Sequence, residues 1–408
     1  MINNYCFTCE ERSDGFVGIK FLNGKPIVVF PRGYDIPKDE KECRRDIFKL
    51  ISVMNSFSDK QGERYLQGEA LSSRIPLSSY LYIIQDYLAH GYYIEKETKY
   101  VSAAKGKVNW KRTIQQEQAM TDAGNVVYLN FQTKKNCINE NNLLTQIHKY
   151  CVYQSLYRFG WLFLSSAYLP PKPLIPYNKK LFVSALKKAL NSTYNDLKRR
   201  LFESMLNIIL ENEDVGDLDN LSIGVNSFEG VWERMIDHVF GEENKEDYFP
   251  HGEWYILHND HIEKSSALEP DTIMKYGGKI YVLDAKYYRF GLTGYAGDLP
   301  ATSSIQKQIT YGKYIAESKK EVSVNNVYNA FVMPFNAHGE EHLKFVSVGT
   351  ADWEQYSDNI PNYAYVLGIL LDTRWIVTKC SRKNMSEIEE IAELIEKSAH
   401  DARKIIKK

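Results

Sequence analysis

The chain has 408 residues, too many for one ordinary domain of about 100–200 residues and enough for two or three. Hydrophobic residues make up 44%, and 18 Phe, 29 Tyr and 6 Trp can fill substantial cores, which excludes a disordered or low-complexity polypeptide. With 51 Lys+Arg against 52 Asp+Glu the net charge is −1, so no global field draws the protein to nucleic acid and any polyanion contact must be local.

No window reaches 18 uninterrupted apolar residues, and the opening MINNYCFTCEERSDG lacks the basic-then-apolar order of a secretory signal. The expectation is a cytoplasmic protein with no membrane partner. Cys6, Cys9, Cys43, Cys137, Cys151 and Cys380 are too few and too scattered for a disulfide framework and read as reduced thiols.

The segment GFVGIKFLNGKPIVVFP holds two strand-like runs around Asn23-Gly24, a dipeptide suited to a type I′ hairpin. Helical patterns follow at 39–57 and 79–90, the second closed by Gly91, then strand-like runs near 92–102 and 125–132. A helix near 140–158 places Leu143, Leu144, Ile147, Cys151 and Leu156 at helical spacing. The stretch YLPPKPLIP, with four prolines in nine residues, can continue neither a helix nor a central strand and marks an expected boundary. Beyond it, 180–212 is helical with a break near Asn191-Ser192. From Asn226 the order is helix (228–240), strands (253–258, 271–276, 279–287), helix (304–317), strands (326–334, 344–350, 363–371) and a closing helix (387–406). The expected division is an α+β domain over 1–168 that contacts DNA or a partner, a helical connector over 169–223 and a catalytic domain over 224–408.

Candidate chemistry lies in EPDTIMKYGGKIYVLDAKYY. Gly277-Gly278 is a two-residue hairpin loop between apolar, β-prone runs. Asp271 lies six residues before Gly277 and Asp284 six residues after Gly278, so the two should oppose one another with Cβ atoms about 4.5–5.5 Å apart. Lys286, two residues past Asp284, shares that face. Facing carboxylates repel, and a divalent cation removes the penalty; aspartate oxygens with waters and a phosphate oxygen suit Mg²⁺. Lys286 could then orient or deprotonate an attacking water or hold a phosphate. The plainer alternative is a structural Asp–Lys ion pair at the base of a hairpin.

Pro270-Asp271 followed by Asp284-Ala285-Lys286 resembles the PD-(D/E)XK nuclease superfamily, whose core of helix, three strands, helix and strand carries the motif on its second and third strands. The element order over roughly 224–350 is similar. The resemblance implies an α/β nuclease core, a mixed sheet flanked by helices, that uses Mg²⁺ on double-stranded DNA, with Asp here where Glu is commoner. In NSFEGVWERMIDHVFG the stripe Phe228, Val231, Trp232, Met235, Ile236 and Val239 predicts a helix with Asn226 or Ser227 as cap and Gly241 as stop. Trp232-Glu233 resembles the aromatic-Glu pair on the first helix of these nucleases, which implies Glu233 as a third metal-site carboxylate acting through water; Glu229 flanks the same stripe. Lys307-Gln308 with Tyr311 resembles a K-Q-x-x-Y helix, implying that Gln308 contacts a water or phosphate, the alternative being a polar position on an amphipathic helix.

A narrower resemblance spans most of the chain: GKPIVVFPRGY with CRRDIFKLISVMNSF, then GKVNWKRTI and INENNLLTQIHKYCVYQS, look like the LlaJI family of restriction endonuclease subunits. That family is itself similar to McrC, the nuclease partner of a GTP-driven AAA+ motor. The resemblance implies a restriction subunit working with an McrB-like GTPase. The chain has no G-x-x-x-x-G-K-[ST] loop of its own, so nucleotide hydrolysis would fall to that partner. The competing reading is a non-catalytic DNA-binding or assembly subunit with a nuclease-like fold.

The remaining signals are weaker. Basic stretches at Lys105, Lys107, Lys111 and Arg112, at Lys198, Arg199 and Arg200, and at Arg403, Lys404, Lys407 and Lys408 read as solvated faces or as polyanion contacts. Cys6-x-x-Cys9 lacks a second ligand pair at zinc spacing, and His148 and His238 fall within helices as packed or surface residues.

Overall fold

The computed structural model describes residues 2–12, 15–22, 25–57, 76–122, 125–139, 141–163, 168–211, 222–258, 261–319, 322–340, 343–352 and 360–406. The chain forms two compact units, Met1–Ser73 with Leu218–Lys408 and, separately, Arg74–Asp217. This grouping cuts across the expected segments 1–168, 169–223 and 224–408. The reason is a strand pairing distant in sequence: Val17–Leu22 is antiparallel to Ser222–Val225, which ties the first residues to the C-terminal half.

In the first unit, Cys6–Thr8, Lys25–Phe30, Val17–Leu22 and Ser222–Val225 form one sheet in that spatial order. Leu22 faces Lys25, the register of the expected two-residue hairpin, while Asn23 and Gly24 themselves lie outside the described residues. The second sheet has five strands in the order Thr272–Tyr276, Lys279–Ala285, Val327–Phe335, Val366–Asp372, Phe345–Ala351. Its three central strands are parallel and its two outer strands antiparallel. All nine residues of Val327–Phe335 are buried, as the near-continuous apolar run of a central parallel strand requires.

The two faces of this sheet are covered differently. Ile280 and Val282 pack with Ile273, Val327 and with Tyr311 and Ile315 of the helix Thr302–Ser318. Tyr281 points the other way and donates to Glu396 of the helix Met385–Ile406. The helix Glu229–Phe240 buries Val231, Trp232, Met235, Ile236 and Val239, the expected stripe, and ends at Gly241. Phe228 precedes its first turn and no side chain caps it, a correction to the cap expected at Asn226 or Ser227.

One further expectation is corrected. The strand expected at 253–258 runs as His251–Ile256, but it pairs only with His261–Ala267, which the sequence reading omitted; the two form their own ladder outside the five-stranded sheet. Its alternation carries no buried face, so nothing draws it onto the core. The architecture is therefore mixed α/β, with the motif strands at one side of a five-stranded sheet. A short helix, Thr373–Lys379, also follows the last parallel strand, with Asp372 accepting from Trp375 N as its cap.

The second unit has helices Leu77–His90, Leu143–Phe159, Lys179–Ser192 and Asp196–Glu211, with Lys96–Ala103 paired to Phe131–Ile138 and a hairpin Ala119–Asp122/Asn125–Tyr128. The proline run from Tyr168 lies in irregular chain, as its composition requires, yet inside this unit rather than at its edge. The helical stretch breaks at Thr193–Asn195, just past the expected point, and Asn195 Oδ1 caps the next helix by accepting from Lys198 N. His148 is fully buried, accepts from Tyr93 N and has its pKa lowered to about 4 by that burial, so it is a packed residue. Among the described residues no helix is long and apolar enough to cross a membrane.

Candidate functional site: a carboxylate pair and a lysine at a hairpin base

Gly277 and Gly278 have φ of 56° and 75°, the left-handed pair of a type I′ turn that residues with a Cβ rarely adopt. The turn fixes the register: Tyr276 faces Lys279 and, at the other end, Thr272 faces Leu283. One step further, Asp271 meets the Asp284–Ala285 end of the opposite strand, as the spacing predicts. Asp271 Oδ2 accepts from Ala285 N at 2.9 Å, so a side chain closes the ladder where main-chain pairing stops. Asp284 stays on the strand with its side chain 7% exposed, and its Oδ2 lies 2.6 Å from Lys286 Nζ.

The electrostatics follow from this crowding. Burial, then the Asp284 charge and then that of Glu233 push the Asp271 carboxyl up to about 7 against the lowering effect of the Ala285 N–H. Burial works to neutralise Lys286, but the adjacent Asp284 carboxylate outweighs it and holds the ammonium above its ordinary value. Glu233 is half-buried on the helix Glu229–Phe240; burial raises its pKa, Glu229 and Asp284 add to the rise, and Lys286 opposes it. Glu233 thus lies within the field of the pair, while Trp232 beside it is fully buried and donates from Nε1 to Val332 O at 3.2 Å, which anchors that helix to the sheet.

Gln308 is 1% exposed and donates from Nε2 to Val282 O at 2.7 Å, so it is not a solvated polar position on its helix. Its Oε1 is buried with no partner among the described residues. Lys307, which the K-Q-x-x-Y resemblance gives no role, has its pKa raised by Tyr311 first and then by the charges of Asp284 and Asp271. A lysine next to an assigned Gln, one turn from Tyr311, was the available signal.

Among the described residues no three His, Cys, Asp or Glu side chains come together as a metal-ligand group. What the site offers is two adjacent carboxylates, one of them driven toward protonation by burial and then by the charge of the other. That suits Mg²⁺, which takes one or two protein carboxylates and completes an octahedron with waters and substrate phosphate. It does not suit zinc, which takes three or four His, Cys or carboxylate ligands.

The basic stretches form no comparable cluster. Arg112 is exposed with its guanidinium 4.2 Å from the Tyr100 ring. Arg199 pairs with Glu203, and Arg200 lies over Tyr82. Lys404 pairs with Asp401, and Lys407 and Lys408 lie outside the described residues.

The model of the LlaJI restriction endonuclease family matches residues 16–369, a span that includes the pairing of Val17–Leu22 with Ser222–Val225 and the whole motif hairpin. The chain belongs to the LlaJI restriction endonuclease family. This LlaJI-family chain is 25% identical over 341 residues to the type II restriction enzyme BsuMI component YdjA of Bacillus subtilis (strain 168), covering 78% of this chain and 72% of that protein. Among solved structures it is similar to a half-complex from the tetradecameric assembly of Thermococcus gammatolerans McrB AAA+ hexamers with bound McrC, at 15% identity and a TM-score of 0.36 over 90% of this chain and 82% of that one. A second likeness, to the cryo-EM structure of the Thermococcus gammatolerans McrBC complex, has 17% identity and a TM-score of 0.26 over 54% of this chain and 64% of that one.

Proposed function

We propose that this LlaJI-family chain is the Mg²⁺-dependent nuclease subunit of a restriction system, with a PD-(D/E)XK-type site that hydrolyses phosphodiester bonds in double-stranded DNA. The observation that carries this reading is the convergence of Asp271, Asp284 and Lys286 at one hairpin base, with Asp271 raised to about 7 by burial and by its neighbour. Asp271 and Asp284 would hold the cation, and Glu233, whose charge acts on both, would fix a water at the rim. When bound, Mg²⁺ supplies Lewis-acid polarisation of the phosphate and acidifies water. Lys286 holds its ammonium against Asp284 and so directs a positive charge at the place where an in-line attack builds negative charge. Gln308 presents an unsatisfied carbonyl oxygen beside the same strand. The products would be 3′-hydroxyl and 5′-phosphate ends.

The partner in this reading is an McrB-like AAA+ GTPase. The family resemblance supports it, and so does the lack of any G-x-x-x-x-G-K-[ST] loop in the chain. The exposed stretch Lys105, Lys107, Lys111 and Arg112 is the candidate contact, either for nucleotide on the motor or for a DNA backbone. The test is nicking of supercoiled plasmid by the purified chain with Mg²⁺, with and without its motor subunit and GTP. Cleavage that disappears with EDTA supports the reading. DNA or motor binding with no cleavage under any of these conditions would instead establish the assembly-subunit alternative.

A further inference from the structure

Strand pairing ends just where the candidate chemistry begins. Lys286 N makes the last sheet bond, to Val332 O at 2.9 Å, and the chain then turns at once, with Tyr288 N donating to Lys286 O at 2.8 Å. Tyr287 is the middle of that turn. It is held by a residue 255 positions away in sequence: Arg32 Nη1 donates to Tyr287 O at 2.5 Å, and Arg32 N donates to Tyr287 Oη at 2.5 Å. The guanidinium lies 4.8 Å from the Tyr287 ring centre, while the ring's surroundings include Phe228 and Trp232, at centroid distances of 5.4 and 5.9 Å.

Arg32 is itself rigid. Its Nε donates to Glu10 Oε1 at 3.1 Å. It sits in a turn closed by Tyr34 N to Pro31 O, with Tyr34 stacked 4.4 Å from Phe30. The next residue, Gly33, has φ +71°, and a Cβ there would come within 3.0 Å of the Phe335 main chain and of Thr373 Oγ1. The loop is therefore seated against the ends of two sheet strands.

We propose that Arg32 is a positioning residue for Lys286: by gripping both the main-chain and phenolic oxygens of Tyr287 it fixes the turn that aims the lysine at Asp284. The inference rests on the nuclease reading for its consequence, but its geometry is separate from the carboxylate pair. The phenolic oxygen is held by the Arg32 main-chain N–H, while the guanidinium bridges Tyr287 O through Nη1 and Glu10 Oε1 through Nε, a two-point bridge that a planar fork with several donors can make and a single ammonium makes poorly. The N-terminal sheet is in this way part of the support of the site, and anything that moves residues 30–34 moves Lys286.

The test uses the full-length protein with Arg32→Ala, Arg32→Lys and the milder Tyr287→Phe. With plasmid DNA and Mg²⁺, Arg32→Ala should lower kcat about 10²-fold, the scale of a misplacement of about 1 Å, with KM for DNA little changed. Arg32→Lys should recover little of it, and Tyr287→Phe should fall between. A kcat loss fully matched by loss of folded protein in thermal melts, or full recovery in Arg32→Lys, overturns the positioning role. A second readout needs no cleavage: acetylation of Lys286 by an amine-reactive ester, followed by mass spectrometry and normalised to Lys313, should rise severalfold in Arg32→Ala as the ammonium leaves Asp284. Unchanged labelling overturns the inference even if the enzyme cuts, whereas a wild-type protein that never cuts overturns the nuclease reading and leaves the labelling result to judge this one.

Discussion

Two hairpins stand a few residues apart in the chain and meet opposite fates. His251–Ile256 with His261–Ala267 has no buried residue on either strand, and Trp254 and Tyr255 are 70% and 67% exposed. Thr272–Tyr276 with Lys279–Ala285 buries nine of its twelve residues and becomes part of a five-stranded sheet. Both present charged side chains, but in the first these project into water, where a charge costs little. In the second, two aspartates are carried to a buried edge by a register that leaves them nowhere else to go. Chemistry accumulates where the fold forces polar groups into apolar surroundings, and the same local structure left in solvent has no such effect.

The comparison breaks first at Asp284. Asp284→Ala should abolish Mg²⁺-dependent plasmid nicking while the protein stays folded, because it deletes one ligand and also the repulsion on Asp271. Nicking at the wild-type rate would refute the assignment, and a melting temperature lowered by many degrees would mean that the Asp284–Lys286 pair is structural. Lys286→Ala should slow single-turnover cleavage by about 10²–10⁴ with Mg²⁺ and DNA affinity nearly unchanged. A weaker metal affinity at an unchanged rate would contradict that role.

Asp271 gives the comparison a pH signature. Its folded pKa of about 7 exceeds the roughly 3.9 of an unfolded aspartate, so between those values the native state holds the extra proton and stability falls as pH rises. Above pH 7 the full penalty persists. Asp271→Asn should therefore be more stable than wild type at pH 8, by on the order of 1–4 kcal/mol, with the gain fading by about pH 4. Equal chemical-denaturation midpoints at pH 8 would show that the carboxylates are not in conflict. In the exposed hairpin, Trp254→Ala should change stability by no more than about 0.5 kcal/mol and leave cleavage untouched.

Much of the site was legible because a two-residue glycine turn makes register a matter of counting, which is how Asp271 and Asp284 could be brought together on paper. The same logic failed for the strand at 251–256, where a β-prone run says nothing about which neighbour it pairs with or whether it joins the core. Gln308 was assigned to the site, but its burial and its bond to Val282 depend on how the helix Thr302–Ser318 rolls against the sheet, which periodicity does not resolve. Arg32 carried no signal at all: its role exists only because residues 255 apart are folded against one another. The proline run does stop secondary structure, yet it lies inside the unit Arg74–Asp217, since a local stop in secondary structure need not be a break in packing.

The pairing of Val17–Leu22 with Ser222–Val225 also sets a timetable. During synthesis the first three strands emerge early, but the strand that completes their sheet follows about 200 residues later, roughly 10–40 s at 5–20 residues per second. Through that interval Val17–Leu22 presents an open edge, the kind of surface on which nascent chains pair wrongly. The loop bearing Arg32 waits as well, because its partner Tyr287 is made later still. The candidate site geometry can thus assemble only after Tyr287 and the strand Val327–Phe335 have been made, so a product terminated before them would hold the N-terminal strands without the hairpin base that they support.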